Sequence, residues 1–538
     1  MIVDSYAMAG GYFIRDSPMG FPELFSAMGR AGVSAAAVMS MRALQADARK
    51  GNDLLYDEAR GDGRVIPIAV VYPEASHNEV PLLVEDAVAQ GAAGIALRVN
   101  SSLPFSSLAF QKTLAAVTAP GLPVIAADIR EAGVATQLAE ATAGSGCPLV
   151  LLGAYYNNLG ELLEVMEAHP HVYVDTSWQV TPGCIELMVE SGGSGRVLFG
   201  SGAPIRPVQP ALNMVLDADL GESAKRNILG LNALRLFGRG EEVSVAEASL
   251  APLPDVKAPS TPAIDVHGHL GVGSRIPMTV RDVDAIEHYA ARAGFEYVVC
   301  SEPVAYREDL DAGNREMLAK IAGRPRLLGS PVISPTHMEA SVSWLDRFAH
   351  DPKLGHVTWD PDNEGEAYGS EKYMALWAEV AKRGVPVFWN AGSQDVERNV
   401  RWEKKLGYMP MIRGGSRAEI EMFFEVGRRH PDLQVIIGHG MGEDGITVAG
   451  QNRNFYLEHS GSYPERGALR KAIDTLGADK IVYGTDLDLI QPAFCLGIYY
   501  SADMTPAEES LIMAENARRI MGLPTAGHLQ GPSDATVT

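Results

Sequence analysis

The sequence predicts an α/β protein built from two tandem TIM-like (β/α)8 barrels joined by a Pro- and Ala-rich linker, and three observations predict it. The first is an internal duplication. VDSYAM from Val3 is echoed by IDVHGH from Ile264, GNDLL from Gly51 by GNREML from Gly313, and GLPVIAAD from Gly121 by GVPVFWNA from Gly384. Further along, VLFGSGAP from Val197 matches IVYGTDLD from Ile481, and NALRLFG from Asn232 matches NARRIMG from Asn516. The separation between partners is nearly constant, then widens by about twenty residues between the fifth and sixth strands, a regularity chance similarity does not produce. The second observation is the alternation of short β-rich runs with stretches of helical composition, which implies a parallel sheet. The third is size: 538 residues exceed one core, and eight such units in each half match a closed barrel better than an open doubly wound sheet.

In the second copy the β-rich runs are, in order, AIDVH, YVVCS, LLGSPVI, HVTW, VPVFW, LQVIIGH, FYLEHS and KIVYGTD. No GxGxxG fingerprint follows any of them, which argues against a dinucleotide-binding sheet. The expected boundaries are 1–240 for the first barrel, 241–262 for the linker, 263–525 for the second barrel and 526–538 for a disordered tail. Within the linker, SLAPLPDVKAPSTP from Ser249 has no hydrophobic period and four prolines, which break helices.

Hydrophobic residues make up 46% of the chain and charged residues 21%, an ordinary balance for a folded protein. Forty-five basic residues against sixty-seven acidic ones give a net charge of −22, which repels nucleic acid and anionic membrane surfaces. The four cysteines stand far apart without a CxxC spacing, so neither a cysteine zinc site nor a disulfide framework is expected. With no signal-like N-terminus and no long apolar run, a cytoplasmic location is the expectation. Motifs for phosphate cradling, a serine nucleophile elbow and a zincin site are missing.

Parallel barrels carry their chemistry at the C-terminal ends of strands, and the second copy has polar residues there. His267 and His269 end its first strand two residues apart, which puts both imidazoles on one face, at the mouth, where they would suit a metal ion. His439 ends the sixth strand as a candidate general base or electrophile. Asp486 ends the eighth, next to the first in a closed barrel, so its carboxylate would reach the same ion or take a proton from a water bound there. Glu302, ending the second strand, reads first as a solvent-facing carboxylate, and is a further candidate for the pocket or a replacement ligand. The additional segment after the fifth strand holds Arg398, Arg401, Lys404, Lys405, Arg413 and Arg417 against the single acid Glu403. Such a run is either a solvated face or a basic lid. As a lid it would draw in a carboxylate, with Arg401 and Arg413 as substrate contacts and Trp389, Trp402 and Tyr408 favouring a planar acid.

These residues in this order resemble the amidohydrolase superfamily, specifically the amidohydrolase-related branch that includes aminocarboxymuconate-semialdehyde decarboxylase. The resemblance covers both copies and extends to SRAEIEMFFEVGRRHPDLQVIIGHG and NARRIMG. It implies one divalent metal ion, zinc or manganese, with His267, His269 and Asp486 as ligands and His439 in acid–base work. The family's fifth-strand histidine falls on Asn390, whose amide oxygen is a weaker ligand than imidazole. The first copy departs further, with Tyr6, Met8, Ala127, Ala154 and Gly202 at the five functional positions. It therefore reads as a degenerate barrel, an inactive built-in partner in an intramolecular pseudo-dimer that could assemble into a larger homo-oligomer. The expected function is a metal-dependent hydrolase or non-oxidative decarboxylase of a small anionic, possibly aromatic or cyclic, compound. The alternative is a regulatory binding protein with little or no metal and both barrels degenerate.

Overall fold

Strands of a parallel barrel are buried on both faces, so they need apolar side chains on both, and the first strand, Ile2–Ala9, is buried along its entire length. The computed structural model describes residues 1–11, 19–72, 79–99, 104–248, 252–271, 279, 282–361, 365–390, 416–440, 442–461 and 464–524. Its first eight strands are β1 (Ile2–Ala9), β2 (Val33–Ser40), β3 (Val65–Val71), β4 (Gly94–Leu97), β5 (Val124–Ala127), β6 (Leu149–Leu152), β7 (Val172–Asp175) and β8 (Val197–Leu198). They pair in sequence order, all parallel. A bridge between Ala7 and Ala203 and the bond from Ser5 N–H to the Phe199 carbonyl, 2.8 Å, close the ring.

The second set is β9 (Ala263–His269), β10 (Phe295–Ser301), β11 (Leu327–Gly329), β12 (Val357–Trp359), β13 (Val387–Trp389), β14 (Val435–Ile437), β15 (Phe455–Glu458) and β16 (Ile481–Val482). Bridges from Val332 to Thr358 and from Gly268 to Leu487 join its two parallel sheets into a second closed barrel. Ile264, Val266, Phe388, Ile436, Tyr456 and Val482 fill its interior, while Trp359, Trp389 and Ile437 sit in register facing the surrounding helices.

The repeated phrases are explained by the jobs they do in both barrels. Asn52 exchanges two hydrogen bonds with Val70, each 3.0 Å, and Asn314 does the same with Val332. A Cβ on Gly51 would lie 2.2 Å from the Ala43 nitrogen, and one on Gly313 would lie 2.2 Å from that of Ala305, so both positions require glycine for close packing. Asn232 and Asn516 each donate to two carbonyls at the base of β8 and β16. Asp4 and Asp265 bind main-chain N–H groups of the first and eighth strands together, Tyr6 and Ser201 in one copy and His267 and Thr485 in the other.

At the start of the expected linker, residues Gly240–Ala248 form a helix, and the Pro-rich stretch follows it. The expected tail, 526–538, lies outside the described residues. All four cysteines are buried and unpaired. Among the described residues no helix is long and apolar enough to cross a membrane.

The barrels pack through equivalent helices, Gln209–Asp217 after β8 and Pro492–Tyr500 after β16. Asn213 donates to the Ala493 carbonyl at 2.9 Å, and Gln491 reaches Asp217, which also pairs with Arg292 at 2.9 Å. A Cβ on Gly497 would stand 2.6 Å from the Pro210 Cα, so the contact works only with glycine. Gly497→Leu is therefore expected to force the helices apart and cost about 1–3 kcal/mol. Thermal unfolding should show a lowered midpoint, and an unchanged midpoint would contradict the contact.

Candidate metal centre

The first strand delivers its histidines to the mouth through an irregularity. Pairing with β10 jumps from Asp265 opposite Val298 to Gly268 opposite Cys300, which re-aims the chain after the inward Val266. His267 Nδ1 lies 3.1 Å from Ser460 Oγ and 3.2 Å from Glu458 Oε2. That partnership assigns the ring proton to Nδ1 and leaves a lone pair on Nε2. The Nε2 atom is buried with no hydrogen-bond partner, 3.6 Å from Asp486 Oδ1. His269 Nδ1 is 2.8 Å from Ser301 Oγ, and its Nε2 is 3.1 Å from the same Asp486 oxygen.

Asp486 is turned into the mouth by a left-handed backbone, φ 63°, with its N–H on the His267 carbonyl at 2.8 Å. Burial by itself would raise its pKa, but the imidazoles of His267, His269 and His439 outweigh that and hold the carboxyl well below the usual range. His439 also has a positive φ, 58°, and its N–H donates to Glu458 at 3.1 Å. Its ring centroid is 5.0 Å from that of His267.

Among the described residues, the ligand atoms of His267, His439 and Asp486 lie within 4.8 Å of one another. His269 meets Asp486 at the edge of that cluster. The unpartnered His267 Nε2, the ionised Asp486 and a second imidazole form a nitrogen and oxygen donor set that fits a divalent ion. Asn390 contributes a buried Oδ1 with no partner, while its Nδ2 donates to Asp360 at 3.2 Å.

One expected substrate contact is placed elsewhere. Trp389 is fully buried on the outer face of the sheet among Trp359, Trp377 and Phe423, and its Nε1 donates to Glu419 at 2.8 Å. Strand alternation explains this, since Phe388 and Asn390 take the inward positions. Glu302 is not solvent-facing: it is buried and paired with Lys320 at 2.5 Å. Arg401 and Arg413, with Trp402, Tyr408 and most of the basic segment, lie outside the described residues. Arg417 is described, and it is a solvated helix residue paired with Glu421.

Four groups at the site were not picked out from the sequence. Glu458 supports both His267 and His439, and only the fold shows that a seventh-strand acid reaches two histidines. Asp360 follows the end of β12, and Tyr306 lies in the short helix Val304–Arg307 after β10, with its hydroxyl 3.4 Å from His269 Nδ1. Asp488, at φ 136°, is buried with an unpartnered Oδ2, and burial and then the neighbouring Asp486 push its pKa far up. The doubled acid in GTDLD was the available signal. Tyr306 and Asp360 also line a cavity of about 180 Å³ with Arg307, Ser334 and His337.

The amidohydrolase family model matches residues 5–239 and, a second time, 264–523. No curated protein matches the sequence. Among solved structures, 2,6-dihydroxybenzoate decarboxylase from Rhizobium is 18% identical, covering 49% of this chain and 99% of its own, with a TM-score of 0.41. The 5-carboxyvanillate decarboxylase of Sphingomonas paucimobilis is 16% identical, with coverages of 49% and 100% and a TM-score of 0.40. A dihydroxybenzoic acid decarboxylase from Polaromonas sp. JS666, solved with manganese and 2-nitroresorcinol, is 16% identical, with coverages of 49% and 97% and a TM-score of 0.41.

Proposed function

The chain belongs to the amidohydrolase family in both of its halves, and from that premise we propose that residues 263–525 form a metal-dependent enzyme for a small carboxylated, planar or cyclic compound. The reaction is hydrolysis of a C–N or C–O bond or non-oxidative decarboxylation. The observation that carries this reading is the buried, unpartnered His267 Nε2 facing an ionised Asp486 beside His439. Buried polar atoms are ordinarily satisfied, so a donor set left open this way is arranged for a ligand.

His267, His269 and Asp486 would hold the ion, zinc or manganese, with Asn390 Oδ1 as a weaker further donor. A bound divalent ion supplies Lewis acidity toward a substrate oxygen. The protein does the rest. Asp486 is kept ionised by its imidazole neighbours, which suits it to holding the ion. His439 is fixed at its main chain by Glu458, so its ring is positioned to pass a proton to or from substrate. Arg307, in the adjoining cavity, provides the positive charge that a substrate carboxylate requires.

In this reading residues 1–240 are catalytically silent and brace the active barrel. The Val180 carbonyl accepts the Gln491 N–H, 2.8 Å, behind the loop carrying Asp486 and Asp488. The Ile205 carbonyl accepts that of Arg466, 3.1 Å, on the loop after β15. The built-in partner thus contacts two loops at the active mouth.

The test is turnover of hydroxybenzoates and cyclic amides by protein loaded with zinc or manganese. Activity on one class is expected, and Arg307→Ala should raise KM about ten- to a hundredfold with a smaller change in kcat. Metal-loaded protein that binds these compounds without turning over any would instead support a regulatory binding protein with two degenerate barrels.

A further inference from the structure

A cavity of about 330 Å³ lies where the first barrel, the linker and the second barrel meet, and it shares no residue with the metal centre. Leu216 and Lys225 line it from the first barrel, Val256 from the Pro-rich linker, and Tyr289, Arg292 and Leu496 from the second barrel. Its size is at the lower end of small-molecule sites. The polar groups of the lining are unevenly used. The Lys225 ammonium donates to the Leu216 carbonyl at 2.6 Å, and among the described residues no carboxylate comes within ion-pairing distance of it. An ammonium has three donors, so two of them are left for a ligand or water. Burial, and then the neighbouring Arg292, hold the Lys225 pKa below the usual lysine range, as expected for a cation with little compensation.

The Tyr289 hydroxyl likewise makes no hydrogen bond among the described residues. Arg292 differs, because the Asp217 carboxylate takes its Nε at 2.9 Å and the Asp217 carbonyl a second nitrogen. The other acid of the lining, Asp255, is exposed to solvent. Lys225 is therefore the half-buried charge still open to a partner. These groups select a ligand's chemistry. Lys225 and Tyr289 offer donors to one anionic group. Asp217 and Asp255 oppose a multiply charged phosphate, while Leu216, Val256 and Leu496 would bury a hydrocarbon body.

We propose that this cavity is a binding site for a small monocarboxylate with an apolar body, its carboxylate on Lys225 and its hydrocarbon against Leu216, Val256 and Leu496. The site is separate from the active mouth of the second barrel. Its walls come from both barrels and the linker, so an occupant ties the three together and stabilises the assembled chain.

The experiment is calorimetric titration of the full chain with hexanoate, acetate and hexanol. Hexanoate is expected to bind saturably and at least about tenfold more tightly than either of the others, since acetate lacks the hydrocarbon and hexanol the charge. Lys225→Met keeps the side-chain stem without the ammonium, and Ala258→Phe fills the cavity from the exposed linker. Each should weaken hexanoate at least about tenfold, while Arg307→Ala, in the cavity beside the metal centre, should leave its binding unchanged. Hydrogen exchange on the parent protein should show hexanoate protecting residues 253–258 and 289–293, a readout that needs no variant to fold. Absence of saturable hexanoate binding below about 10 mM overturns the proposal, as does binding that persists in either cavity variant or disappears in Arg307→Ala. Equal affinity for acetate or hexanol also overturns it, because the site would then read charge alone or apolarity alone.

Discussion

Replacing both His267 and His269 by alanine is expected to reduce bound metal from about one ion per chain to almost none, and to abolish turnover with it. The two rings face one carboxylate oxygen of Asp486, at 3.6 and 3.1 Å, and each has its other nitrogen tied to a neighbour. Outer partners of this kind fix which nitrogen faces the ion, and losing the rings removes both nitrogens that face Asp486. Elemental analysis of protein grown with zinc or manganese measures the effect directly. Retention of a full equivalent by the double variant would mean that the ion sits elsewhere, and two equivalents in the parent would mean that the site is of another kind. A modest fall in thermal midpoint should accompany the metal loss, because Ser301 and Glu458 lose their partners.

His439→Asn is expected to lower kcat by roughly 10²–10⁴-fold, the usual contribution of a general acid–base group, with metal content close to the parent's. Asparagine preserves a polar side chain at a left-handed position that it tolerates well, so the backbone turn at φ 58° should survive. The structure sharpens the competing account, since His439 joins His267 and Asp486 in one cluster of potential ligands. With Asn390 at the fifth-strand position, His439 is the imidazole available to replace it. Measuring metal and kcat on the same preparation separates the two roles. If the ion is lost with the side chain, His439 is a ligand and proton transfer falls to another group.

The duplication, the two barrels and the strand-end placement of His267, His269, His439 and Asp486 were legible in the sequence. They depend on periodicity and on repeated phrases, and both are local properties. Gly51, Asn52, Gly313 and Asn314 show why those phrases persist: each glycine allows a close approach and each asparagine closes two bonds, so the same packing demand recurs in each copy. Trp389 shows the limit. Its neighbours along the chain suggested a pocket residue, but a strand alternates its faces, and which face is inward is settled by the barrel's closure rather than by the run VPVFWN. Glu302 likewise became an ion pair with Lys320, a residue eighteen positions away that only the fold brings near. Glu458, Asp360 and Asp488 gained their roles the same way. A carboxylate's function depends on which charges face it and how deeply it is buried, and those are decided when distant strands close around it.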